Sequence, residues 1–522
     1  MNSLQSNLWK AEKLAVSIPF PWIAGAGLFY LLFPICIFFA SWTRWYIGFP
    51  AAMLLMIGFV SLMKNTYHED RERIEIPVLH FCIIALLLLV WVWTRGIGNF
   101  FVSDYDHPWR IAVFRDLIDY PWPVVYPESG NALVYYLFYW LAPALCGKLF
   151  GWTAGNIALL LWTYIGVLLT FFLLLHVCQC RTKGEIWTAA ILLFGWSGLN
   201  TIGGALSQIL NINEFQFFVL DCQENWLTSL NNGYSFNFLY RTNSGALIQI
   251  YNQTTPLWIA TLLTFENRKR PHTFAFIGLC LLPFAPLPFL GLVIIMIVFF
   301  GMRLREAVRS RSVAALLKEV FSVPNLTAAI CITPVIGMFF ACNISVSGEG
   351  GGIMLLPLEL FDRIRVIGIT LFWILEFGVI AALIFPKYKR SYLFYTLIAS
   401  LVLIPFVEFG KRGGRDFCMN ASLPALFLLM VLTIRYLNER VISKELTLRN
   451  TAVLVVLTLS MLSPIQDIAG KLDIIGDQHQ FPIVNDWIYT FSDKQIGGDT
   501  PWVENYIVPG YEETMFFQYI AK

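Results

Sequence analysis

The chain has 522 residues, of which 57% are hydrophobic, 16% aromatic and only 13% charged, whereas soluble domains carry roughly 25% charged residues. The 36 Lys and Arg against 34 Asp and Glu leave a net charge of +2, which excludes a nucleic-acid-binding role built on phosphate neutralisation. With a mean hydropathy of +0.65, this is the composition of a chain that lives in a membrane. The ten cysteines are scattered, several inside apolar runs such as those around Cys36, Cys82 and Cys331, and no CxxC pair suggests a zinc site or a disulfide framework.

The N-terminal stretch carries Lys10, Glu12 and Lys13 before a long apolar run that leads into further spans, so it reads as a retained first helix rather than a cleaved signal. A span needs about 20 mostly apolar residues, because every backbone N–H and C=O must be satisfied inside the helix. By that rule the chain is an all-α polytopic membrane protein of about 13 transmembrane helices over residues 1–464. They fall near 19–41, 46–63, 77–95, 154–178, 186–207 and 246–264. A Pro-interrupted pair between 272 and 300 follows, then 326–343, 366–385, 391–408, 419–437 and 450–464.

Lys and Arg cluster in every second loop: Lys64 with Arg71 and Arg73, Arg181 with Lys183, Arg268 to Arg270, Arg303 to Lys318, Lys387 to Arg390, and Arg435 to Arg449. The positive-inside rule makes that side the cytoplasm and puts the N-terminus inside. The stretch Asn131–Phe150 is apolar enough to cross, but a crossing there would invert every later loop, so it is laid on the outer leaflet. The outer regions are then residues 96–153, polar up to about 131, with 208–245, 344–365 and an extracytoplasmic C-terminal segment, 465–522. On the inner side, residues 302–320 read as an amphipathic helix lying on anionic lipid.

The first outer loop, NFFVSDYDHPWRIAVFRDLIDYPWPVVYPESGN, is the densest polar cluster in the chain. Asp104 and Asp106 flank one residue, so an extended backbone points both carboxylates to one side, where they share a divalent cation or hold a sugar hydroxyl for deprotonation. His107 and Arg110 stand beside them, and Pro108 suits a first helical turn. The structural reading of the same residues is a set of (i, i+4) ion pairs, Asp106 with Arg110 and Arg115 with Asp119; it is preferred for Arg115, Asp116 and Asp119.

An acidic motif outside an early span, a short helix, a Pro-containing turn, an aromatic helix ending in Lys148–Gly151 and then a full span together resemble the first extracytoplasmic loop of GT-C glycosyltransferases. These are polytopic enzymes that use sugars carried on polyprenyl phosphates, such as protein mannosyltransferases and aminoarabinose or arabinosyl transferases. The resemblance covers residues 100–180. It implies a GT-C-like fold with loop helices outside the membrane, and an aspartate, Asp104 or Asp106, as base on the acceptor hydroxyl. The chain departs from the pattern in two extra spans before the acidic loop and in lacking a WWDYG sequence.

Further along, Gln249, Asn252, Gln253 and Pro256 share one face of a span, as lining of a substrate cavity or as interhelical hydrogen-bonding groups. The segment VEFGKRGGRDF puts Lys411, Arg412 and Arg415 outside, against the positive-inside trend, beside Glu408. Basic groups there call for an anion: a lipid-linked phosphate, held by Arg forks and Gly-rich backbone, or anionic lipid and the carboxylates Glu408 and Asp416.

The leading expectation is a glycosyltransferase on the outer face of a bacterial cytoplasmic membrane. It would move a sugar from a polyprenyl-phosphate donor to a hydroxyl of a glycan, lipid or protein. The rivals are a glycan polymerase or ligase using diphosphate-linked glycans, and a transporter or lipid flippase.

Overall fold

The computed structural model describes residues 14–102, 107–210, 224–229, 238–347, 353–355, 363–409, 414–440, 447–478, 490–491 and 506–522. Among them, nine helices are long and apolar enough to cross a membrane. They are Phe20–Trp42, Trp45–Tyr67, Trp152–Val177, Lys183–Ile209, Pro286–Arg309, Val323–Asn343, Val366–Tyr388, Asp416–Arg440 and Leu448–Asp473. Shorter apolar helices occupy Val78–Thr94, Pro271–Leu281 and Tyr392–Phe406, and Tyr251–Glu266 forms a further helix. The protein is thus a helical, multi-pass membrane protein.

The boundaries follow local chemistry. Pro19 and Pro21 start the first helix, where a missing N–H costs nothing. It stops at Thr43, whose hydroxyl donates back to the Phe39 carbonyl at 2.7 Å. Thr182 and Glu185 form a reciprocal capping box at the start of Lys183–Gly195, satisfying two orphan donors. The Tyr251–Glu266 helix is the centre of the bundle, with every residue from Tyr251 to Phe265 buried. It packs against Phe20–Trp42, Trp152–Val177, Phe274–Leu281 and Leu423–Arg440.

Contacts tie the basic loops to one face. Ala15–Pro19 pairs antiparallel with Arg73–Pro77. His176 lies 3.5 Å from both Glu72 and Glu266, Asn267 donates to Tyr67 at 2.7 Å, and Lys387 reaches Glu439 at 2.7 Å. On the opposite face the last residues are fastened: Thr43 bridges Ala521, and Arg44 donates to the carbonyls of Gln518 and Ala521. Here Val125–Tyr126, Asn131–Leu133 and Ile507–Pro509 form a three-stranded antiparallel sheet.

Two sequence expectations change in detail, and a third gains its structure. Asn131–Phe150, expected not to cross, holds a strand and a separate 13-residue helix, Phe138–Phe150. Residues 302–320 do not form one surface helix: Pro286–Arg309 runs straight through Met302, and a separate short helix, Val313–Val320, follows. The last span does not end at 464, because helix continues as Leu462–Gln478.

Candidate outer-face site

Of the residues singled out in the sequence, Asp104, Asp106, Lys411 and Arg412 lie outside the described residues. Arg415 belongs to the Gly414–Ala421 helix and Glu408 to the Val407–Phe409 strand; their side chains are likewise outside the description. What is described is the immediate flank of both motifs, and those flanks converge.

His107 opens the His107–Asp119 helix directly after the acidic pair. It is buried, with Nε2 3.0 Å from the Ile248 carbonyl and its ring edge-on to Tyr251 at 5.9 Å. Arg110, one turn later and also buried, acts electrostatically on Tyr135, Tyr136 and Tyr251. Tyr136 also feels Asp416, the third residue of the Gly414–Ala421 helix. Burial, with Tyr506 and Asp416, pushes the Tyr136 phenol above its usual range, and Arg110 opposes them. Tyr136 is thus within electrostatic reach of both the helix that follows the acidic pair and the helix that follows the basic turn. The Gly414–Ala421 helix is held close by Gly291, where a Cβ would stand 1.9 Å from the Ala421 carbonyl oxygen; any side chain at Gly291 displaces it.

Aromatic rings wall this region. Trp140 donates to the Tyr251 hydroxyl at 3.0 Å, and Tyr506 lies 4.4 Å from Tyr135 and nearly parallel to Trp109 at 6.1 Å. Tyr136, Trp109 and Tyr506 are only half-buried, so their flat apolar faces are partly accessible. A cavity of about 10 Å³, the room of one water, is lined by Gly98, Asn99, His107 and Tyr251.

Asp116 and Asp119 make structural contacts, and that of Asp119 is the one its spacing suggests. Arg115 pairs with Asp119 at 2.5 Å. Asp116 is buried and accepts from Thr490 Oγ1 at 2.5 Å, Tyr126 at 2.7 Å and the Phe491 N–H at 3.1 Å. It thereby hooks the C-terminal segment onto the loop.

Gln249, Asn252 and Gln253 do not share one continuous helix face, because Ile250 leaves helical geometry (φ −136°, ψ 38°) and separates Asn243–Gln249 from Tyr251–Glu266. Asn252 and Gln253 are buried, and neither amide atom of Asn252 has a hydrogen-bond partner among the described residues.

Sequence reasoning missed a fully buried Arg95, which pairs with Asp467 and donates to Ser244 at 3.1 Å. The signal was present: a cation at the end of a span expected to face outward, against the positive-inside trend. Asp467→Ala is expected to destabilise the protein by about 2 kcal/mol in detergent unfolding. That is below the cost for an enclosed pair, because the carboxylate is partly wet; Asp467→Glu should recover most of the loss.

Among the described residues no group of three His, Cys, Asp or Glu is placed to hold a metal ion; the Asp104–Asp106 pair, the candidate site for a divalent cation, lies outside them. Compared with protein-family models, with curated proteins and with solved structures, the chain matches none.

Proposed function

We propose that the protein is a GT-C-type glycosyltransferase of the cytoplasmic membrane, with 13 spans, the basic face inside and the sheet-bearing face outside. The four shorter helices would complete the nine long ones. The reading is supported chiefly by one observation: Arg110 and Asp416, from the flanks of the acidic loop and of the Gly-rich basic turn, act on the same tyrosine, Tyr136, although some 300 residues separate them.

In this mechanism Asp104 or Asp106 removes the proton of an acceptor hydroxyl on a glycan, lipid or protein, and the freed oxygen attacks the anomeric carbon of a polyprenyl-phosphate sugar. The bond from that carbon to the phosphate oxygen breaks, and the departing phosphate is neutralised by Lys411, Arg412 and Arg415. A single displacement inverts the anomeric centre. Where the two aspartates share a divalent cation, its part is to lower the acceptor hydroxyl's pKa.

The test is transfer in proteoliposomes containing polyprenyl-phosphate donors labelled in the sugar. The expected result is label moved to an acceptor with release of polyprenyl phosphate. Consumption of diphosphate-linked glycans instead would favour a polymerase or ligase. Movement of intact donor across the bilayer without bond cleavage would favour a flippase.

A further inference from the structure

Glu376 lies near the middle of the Val366–Tyr388 span, 10 residues from one end and 12 from the other, so about 15–18 Å of helix separates it from either end. It is 5% exposed and sits in a π-helical turn, Ile374–Gly378, a local widening often found at functional positions. One carboxylate oxygen accepts from Trp226 Nε1 at 2.9 Å. The other faces Gly198, where a Cβ would stand 2.1 Å from it, so only glycine allows the carboxyl its place.

A carboxylate inside a membrane needs a cation, a proton or a functional reason. Among the described residues Glu376 has no basic partner. The ionisable groups acting on it or feeling it are Glu224, Tyr240 and Cys418, none of them cationic, and Glu224 is itself committed to Arg241 at 2.7 Å. The adjoining cavity, lined by Ser197, Gly198, Ser460 and Glu376, measures about 10 Å³, room for one water and too little for a hydrated metal ion.

A polar chain leads from that cavity. Asn200 donates to both Ser197 Oγ at 3.1 Å and Ser463 Oγ at 3.2 Å. One helical turn beyond Ser463 stands the partly exposed Asp467, on the face that carries Arg95.

We propose that Glu376 is a reversible proton-binding site inside the bilayer, exchanging its proton with the outer face through water admitted along the polar lining of Ser197, Asn200 and Ser463, in which Asn200 positions the two hydroxyls. Proton uptake converts a carboxylate to a carboxylic acid; release returns the proton to outer water, with no other bond made or broken. The proposal is independent of sugar transfer.

The test is infrared difference spectroscopy of the full-length protein in lipid, following the carboxylic C=O stretch from neutral to alkaline pH. The expected result is a band that disappears as pH rises, is absent in Glu376→Gln, and shifts upward in Trp226→Phe, where its hydrogen bond is removed. Glu376→Gln keeps an acceptor for Trp226, and the Trp226→Phe shift assigns the band even where the Gln variant fails to fold. Asn200→Leu should slow hydrogen–deuterium exchange of the band. A band insensitive to both Glu376→Gln and Trp226→Phe, or one indifferent to pH, overturns the proposal. Exchange unaffected by Asn200→Leu overturns the route.

Discussion

Asn in place of Asp104 or of Asp106 is expected to lower sugar transfer by about 10²- to 10⁴-fold at one of the two positions, the usual worth of a positioned general base. Asn preserves the size of the side chain and one acceptor oxygen but cannot take a proton, so the loss reports proton transfer rather than shape. Unfolding in detergent should be nearly unchanged at the catalytic position. If Asp106 instead serves only as an ion-pair partner for Arg110, Asp106→Asn lowers stability by a fraction of a kcal/mol, as such pairs do, and transfer persists. Full activity in both Asn variants would remove the carboxylate mechanism. Arg415→Lys distinguishes the other half of the site: it keeps the charge and loses the planar fork, so donor KM should rise more than kcat falls.

The second large effect is expected at Asp116. Burial pushes its carboxyl up to about 6, against hydrogen bonds from Thr490, Tyr126 and Phe491 that favour the ionised form. A carboxyl raised in the folded state is more readily protonated there than in the unfolded chain. Its contribution is therefore full below the ordinary carboxylate range and is lost as pH rises through about 6. A shift of about two pKa units corresponds to about 3 kcal/mol. Asp116→Asn should flatten this pH dependence while keeping the hook, because its oxygen can face Tyr126 and Phe491 while its amide donates to a rotated Thr490 hydroxyl. Asp116→Ala removes all three bonds and should cost about 3 kcal/mol. The measurements are unfolding midpoints from about pH 3.5 to 8, the span between the ordinary and the raised carboxyl, and proteolysis of the C-terminal segment; a wild-type midpoint flat across that range would contradict the assignment.

Much of the architecture was legible because hydropathy and length act one segment at a time. Trp152–Val177 and Val366–Tyr388 fall within a few residues of their expected bounds. The bookkeeping of Lys and Arg kept Asn131–Phe150 from being read as a crossing. Breaks inside spans were less readable. The kink at Ile250 leaves no Pro or Gly signature at that residue, and the π-helical turn at Glu376 meets Gly198 and Trp226, far apart in the chain. The candidate site was legible as two polar clusters. Tyr136, which joins their flanks, looked like one more aromatic in an apolar run, because proximity between distant segments is not written in local periodicity.

The small three-stranded sheet is finished by a strand from the far end of the sequence, Ile507–Pro509 against Asn131–Leu133. During synthesis the inner partner must therefore wait at the membrane surface with an open hydrogen-bonding edge while all the later spans are inserted. Assembly of this region is thus a late event by design of the chain order. A nascent protein stalled before Ile507 would display an unfinished edge that surveillance proteases and holding chaperones can recognise.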